Sequence, residues 1–247
     1  MRDWPEGCAL IVGGSGGIGA AIAREFCRAG SKVVIAYRSR EERARTLADE
    51  LGERARTVKI DLESPSTIEE ALEQIGPFHS LIHAAGARID QPYISETRAE
   101  DYVSVLRGDA EGFFYLIEQA LPRLRESGGS IVLISSAGLQ RHPPGDILSV
   151  APKAANEALI RGIAREEGRY GVRANSVRVG IVDAGMFPEL VARGELSEAY
   201  LEAAKKNIAL RRFGRAEEIA RAVVFLASDD ASYITGQAIH LDGGYSI

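Results

Sequence analysis

The chain has 247 residues, 45% of them hydrophobic and 26% charged, with a formal net charge of −5. That length is enough to bury the core of one α/β domain, and the mild acidity argues against a nucleic-acid or anionic-membrane partner. No apolar run reaches the roughly 20 residues a membrane helix needs, and acids stand near the start where a secretory leader carries bases, so a cytoplasmic location is expected. Cys8 and Cys27 lack any paired spacing and read as reduced core residues. The four histidines, His79, His83, His142 and His240, show no i, i+4 pair and no cluster with acids, so no metal site is expected.

In chain order, Cys8 to Val12 is an apolar strand that runs into Gly13-Gly14-Ser15-Gly16-Gly17-Ile18-Gly19 and then into a helical pattern from Ala20. Gly14, Gly16 and Gly19 match G-x-G-x-x-G; Gly13, Gly17 and Gly19 match G-x-x-x-G-x-G. Glycines let the backbone turn tightly and approach a ligand, while the first free N–H groups of the helix attract phosphate. The stretch therefore predicts a site for a dinucleotide pyrophosphate. Lys32 to Tyr37 is a second strand, Glu41 to Leu51 a charged helix closed by Gly52, and Thr57 to Leu62 a third strand. A helix opens at Ser64-Pro65, and Ser80 to Gly86 is a strand ending in glycine. A long helix is predicted from about Ala99 to Arg125, a strand from Ser130 to Ser135, a helix from about Val150 to Tyr170 and a strand from Arg173 to Val179. Leu196 to Lys206 reads as a loosely attached helix, Ala216 to Leu226 as another, and Ala238 to Leu241 as the last strand. Strict alternation of this kind specifies a Rossmann-type α/β fold. Its doubly wound parallel sheet has helices on both faces and binds ligands beyond the carboxyl ends of its strands.

Together these residues resemble the short-chain dehydrogenase/reductase family over essentially the whole chain. Val12-Gly13-x-x-x-Gly17-Ile18-Gly19 is similar to its T-G-x-x-x-G-I-G turn, and His83-Ala84-Ala85-Gly86 to its N-N-A-G signature with both asparagines replaced. Leu210 to Arg215, Phe225 to Ser228, Ile234 to Gln237 and Asp242-Gly243-Gly244 follow its C-terminal pattern. The resemblance implies cofactor contacts from Gly13, Ser15, Gly17, Ile18 and Gly19, from Asp61 and Leu62 at the adenine, from Ala84, Ala85 and Gly86, from Lys153, and from Gly180 and Val182. At the end of the second strand, Tyr37-Arg38-Ser39-Arg40 offers no carboxylate for a ribose 2′-hydroxyl, whereas Arg38, with Ser39, suits a 2′-phosphate. NADP(H) is the expected cofactor.

The family's chemistry uses a Ser, a Tyr, a Lys four residues later and an Asn on the long helix. Ser136 and Lys153 stand in register, but the Tyr position is Ser149 and the Asn position Asp109. The position seven before the lysine, where some enoyl-thioester reductases of the superfamily carry their Tyr, is Asp146. The other proton donors in reach are Ser149 itself, His142, and Tyr93 or Tyr102. Ser149 also reads as a helix N-cap with Pro152 in the first turn, and Asp109 as a surface or water-linked acid. An aliphatic hydroxyl is a far poorer acid than a phenol of pKa about 10, so ketone reduction is handicapped. Reduction of a conjugated alkene needs only hydrogen-bond donors on the enolate oxygen, which Ser136 and Ser149 supply. The expected protein is an NADP(H)-dependent oxidoreductase for a carbonyl or conjugated enoyl substrate. The alternative is a cofactor-binding homologue with little or no turnover, a partner subunit for an active relative. A single domain over 1–247 is expected, with a substrate lid at about 183–209 whose Met186, Phe187, Leu190 and Val191 imply a partly apolar ligand. The resemblance implies a homo-oligomer, tetramer or dimer.

Overall fold

Four short, almost wholly buried runs, β1 (Ala9–Val12), β2 (Val33–Tyr37), β4 (Ser80–His83) and β5 (Ser130–Ser136), are β-branched and aliphatic because both faces of the sheet they build are covered. With β3 (Ala55–Lys59), β6 (Arg173–Val179) and β7 (Ala238–Leu241) they form one seven-stranded sheet, ordered β3-β2-β1-β4-β5-β6-β7, in which every pair is parallel. The computed structural model describes residues 3–86, 89–185, 187, 191, 194 and 197–247. Among them no helix is long and apolar enough to cross a membrane.

The helices are α1 (Gly17–Arg28), α2 (Glu41–Leu51), α3 (Pro65–Ile75), α4 (Ala99–Val105), α5 (Gly112–Ser127), α6 (Ile147–Glu167), α7 (Glu198–Lys206) and α8 (Ala216–Ala227). One core lies on the side of α3, α5 and α6, where Leu10, Leu81, Phe113, Leu116 and Ile160 meet. The other lies under α1, α2 and α8, around Ile11, Ile22, Phe26, Ile82 and Val223. Alternate residues of each strand feed opposite cores, which is the period-2 consequence of the pleat.

Two expectations are adjusted. The helix predicted from Ala99 to Arg125 runs through without a break, but between α4 and α5 Leu106–Glu111 forms a π-helical turn. Its wider ring changes which way the following residues face, and Asp109, for which the sequence left a surface position open beside a catalytic one, is turned inward and buried. Ser149 is not a helix cap. Helix α6 starts earlier, capped by Asp146, whose carbonyl accepts from the N–H groups of Ser149 and Val150, so Ser149 lies in the first turn and Pro152 beyond it, inside the helix.

Candidate active site

Strand order reverses between β1 and β4, which pair Val12 with His83, so the chain leaves the sheet in opposite directions there and opens a crevice at the strand ends. Gly13 takes φ +81°, and a Cβ built on it would lie 2.5 Å from the backbone N of Ala85. A Cβ on Gly19 would run into the carbonyl of Gly13, and one on Gly17 into the backbone of Gly185. The turn is thus packed backbone to backbone. Its following helix, α1, has no acid in its first turn and a glycine, Gly16, as cap, which leaves its first N–H groups facing out. An unobstructed, positively polarised cradle of this kind fits a dinucleotide diphosphate. Ser15 is buried in the turn, Ile18 half-buried, and Ala84 and Ala85 flank it from β4, with Gly86 exposed beyond them.

The outer end of the crevice, where the resemblance implies the adenine, is built from the turns after β2 and β3. Arg38 and Ser39 are exposed, and Arg38 Nη1 sits 3.1 Å from Glu63 Oε1. Asp61 lies beyond the end of β3, with its Oδ1 accepting from the Glu63 N–H at 3.1 Å and its own N–H donating to Thr67. Leu62 is buried against Gly112, where a side chain would clash with Leu62 Cβ at 2.7 Å. On the far side, Gly180 donates to Leu241 and packs on Asp242, and Val182 bridges to Gly214. In the segment expected to form a lid, the Phe187 and Phe213 rings meet edge to face at 4.8 Å, while Met186 and Leu190 lie outside the described residues.

The reacting end gathers on α6. Lys153 Nζ lies 3.3 Å from Ser149 Oγ, one helical turn away. Ser136, the last residue of β5, accepts from the Gly138 N–H at 3.0 Å, and Gly138 packs on Val150, which brings this turn against the first turn of α6. Behind Lys153, Asp109 Oδ2 is 3.9 Å from Nζ, while Oδ1 meets His83 Nε2 at 3.3 Å and Asn156 Nδ2 at 3.1 Å. Burial works against the Asp109 charge, but the His83 hydrogen bond and charge, with Lys153 and Asn156, outweigh it and hold the carboxyl below the usual range. Thus one histidine does cluster with an acid, against the sequence expectation. His240 likewise lies near an acid, 3.8 Å from Asp242, and no group of three metal-ligating side chains occurs among the described residues.

Two further residues are not legible as site residues in the sequence, where Asp146 stands only as the position seven before the lysine. Asp146, which caps α6, is buried with Gln91 Nε2 3.4 Å away; burial pushes its carboxyl up, against the pull of Lys153, Gln91 and His142. Asn156 follows Lys153 by three residues, which was the available signal that both share a face of α6. The remaining donor candidates, His142, Tyr93 and Tyr102, are exposed.

A nucleotide-binding crevice at a strand-order reversal, with a Ser, Ser, Lys set at its inner end, defines a dinucleotide-dependent oxidoreductase. A family model described as Enoyl-(Acyl carrier protein) reductase matches residues 13–246. The chain is similar to the 3-oxoacyl-(acyl-carrier-protein) reductase FabG of Staphylococcus aureus, 33% identical over 245 residues and covering 96% of each. It is likewise similar to the 4-formylbenzenesulfonate dehydrogenase TsaC1/TsaC2 of Comamonas testosteroni, 33% identical over 247 residues and 97% of each. Among solved structures, a blue fluorescent protein from a metagenomic library in complex with NADPH superposes with a TM-score of 0.87 at 30% identity, over 98% of this chain and 99% of that one. The chain belongs to the short-chain dehydrogenase/reductase family and is a nicotinamide-dependent oxidoreductase.

Proposed function

We propose that the protein is an NADP(H)-dependent reductase for a carbonyl or a conjugated enoyl compound, working in the cytoplasm as a homo-oligomer, tetramer or dimer. Binding of NADP(H) is supported by the cradle at Gly13, Gly17 and Gly19, by Arg38 at the end of β2, and by the NADPH held in the similar solved structure. In this reading Ser15, Ile18, Ser39, Asp61, Leu62, Ala84, Ala85, Gly86, Lys153, Gly180 and Val182 complete the cofactor contacts. The segment from about 183 to 209 closes over a partly apolar substrate as the lid of a single domain. The comparisons give no support to the non-catalytic alternative.

The observation that carries the chemistry is the contact between Lys153 Nζ and Ser149 Oγ at 3.3 Å. The bound cofactor supplies hydride. Ser136 and Ser149 then donate hydrogen bonds to the substrate oxygen as negative charge gathers on it, and Lys153 orients the Ser149 hydroxyl while Asp109 anchors Lys153. An array of hydroxyl donors serves an enolate oxygen better than it protonates an alkoxide, so enoyl acceptors are favoured over simple ketones. NADPH oxidation against a panel of ketones and enoyl thioesters tests this: faster turnover of enoyl substrates is expected, and tight NADPH binding without oxidation on either panel would overturn it.

A further inference from the structure

His83 is 1% exposed, Asn156 1% and Asp109 6%, so the three close a polar pocket beneath the reacting end of α6. Such a buried carboxylate persists only where its oxygens are partnered. Here the division is asymmetric. Both donors meet one oxygen, His83 Nε2 at 3.3 Å and Asn156 Nδ2 at 3.1 Å on Oδ1, leaving Oδ2 for Lys153. Facing a carboxylate, Nε2 is the nitrogen that carries hydrogen. The ring cannot swing away, because it lies 4.5 Å from the ring of Phe113 and is held by β4. Its other nitrogen, Nδ1, is buried without a partner, a cost the fold accepts to keep Nε2 on Asp109.

We propose that His83 is a positioning residue for the reaction: by pinning Asp109 Oδ1 from below, it aims Oδ2 at Lys153 and so holds the Lys153 ammonium on Ser149. The inference rests on the reading of Ser149 and Lys153 above for its catalytic consequence alone. In the step it serves, the acceptor carbon gains hydride from the reduced nicotinamide and the π electron pair moves onto the substrate oxygen. Ser136 and Ser149 hold the resulting enolate oxygen by hydrogen bonds, Lys153 keeps the Ser149 hydroxyl aimed at it, and the α-carbon takes its proton from water. The charged groups around Lys153 are Asp109 on the π-helical turn, with His83 of β4 behind it, and Asp146 at the start of α6, which His142 of the preceding loop faces.

The test follows the Asp109 carboxyl by its 13Cγ resonance in cofactor-free protein, in wild type, His83→Leu and His83→Gln. Leucine fills the pocket without a donor, whereas the glutamine amide offers an N–H in place of Nε2–H. In His83→Leu the Asp109 titration is expected to rise by at least about one pH unit, a tenfold change in proton affinity, and His83→Gln to restore much of the difference. The acid limb of kcat/KM should move with it, and kcat should fall more than KM changes. If the leucine variant does not fold, Asn156→Ser, which withdraws the other donor to Oδ1, must move the titration upward in its place. An Asp109 titration unmoved by loss of either donor, or a glutamine variant no closer to wild type than leucine, overturns the proposal. Because the carboxyl is read without cofactor or substrate, an inactive wild type with a responsive Asp109 would sink the reaction assignment and leave the positioning role standing.

Discussion

Arg38 Nη1 and Glu63 Oε1 lie 3.1 Å apart, tying the turn after β2 to the turn after β3 at the outer end of the crevice, with the two side chains 62% and 56% exposed. A pair so solvated contributes at most about 1 kcal/mol, so the guanidinium can leave Glu63 for a phosphate at little cost. NADPH is expected to bind at least about tenfold tighter than NADH, a difference of about 1.4 kcal/mol, and Arg38→Ala should abolish that preference. Glu63→Gln should tighten NADPH by about threefold and leave NADH unchanged, because only the 2′-phosphate feels the lost carboxylate. Calorimetry is the suitable measurement. Trp4, the single tryptophan, stacks on His79 at 4.9 Å, before the start of β4 and so at the sheet end opposite the crevice, where a fluorescence signal would miss the cofactor.

The second prediction concerns position 149. Ser149→Tyr should place a phenol beside Lys153 and raise ketone reduction by about 10² or more, as expected for regaining a general acid. Asp109 limits that gain, since its carboxylate, 3.9 Å from Nζ, offsets the positive charge that would otherwise favour the phenolate. The double variant Ser149→Tyr with Asp109→Asn should therefore exceed the single one, while enoyl reduction changes less in both. Steady-state NADPH oxidation on the two substrate classes decides it; a tyrosine variant slower on ketones than wild type would reveal another acid in the site.

His79 provides a third, on stability. Burial lowers its pKa to about 4, and its ring nitrogens meet Ser31 at 3.0 Å and Ser80 at 2.8 Å. In the unfolded chain a histidine titrates near 6.5, so the unfolded state binds the proton first and the native state loses stability as pH falls from about 6.5 to about 4. The loss should be on the order of 3 kcal/mol across that window. Urea denaturation at pH 7.5 and 4.5 measures it, and His79→Gln should flatten this part of the profile; an unchanged profile would assign the acid sensitivity elsewhere.

Asp146 gives the fourth. Its carboxyl is pushed up by burial, so its ionisation above the unfolded-state pKa works against folding. Asp146→Asn keeps the shape and the Gln91 contact without the charge. Thermal denaturation should show a stabilised variant, with the gain growing as pH rises above about 4, the unfolded-state value. A variant less stable than wild type at pH 7 would mean that the charge is stabilising through Lys153.

The strands, their parallel order and the glycine turn were legible because each is a local signal: a buried run, a glycine where backbone must meet backbone, a helix whose period repeats every turn. The same holds for Ser149 and Lys153, one turn apart on α6, whose contact follows from spacing alone once the helix is granted. The environment of Asp109 was not legible. Its partners His83 and Asn156 lie 26 and 47 residues away, and the π-helical turn that swings it inward carries no periodic mark in the residues around it. The Arg38 to Glu63 pair, 25 residues apart, is of the same kind. Sequence alone determined what is written in neighbours along the chain, namely the fold, the glycine turn and the one-turn spacing of Ser149 and Lys153. Tertiary packing decided which oxygen of Asp109 meets which donor, because that choice depends on three elements arriving at one buried point, where an unpaired charge costs several kcal/mol and geometry must supply the partners.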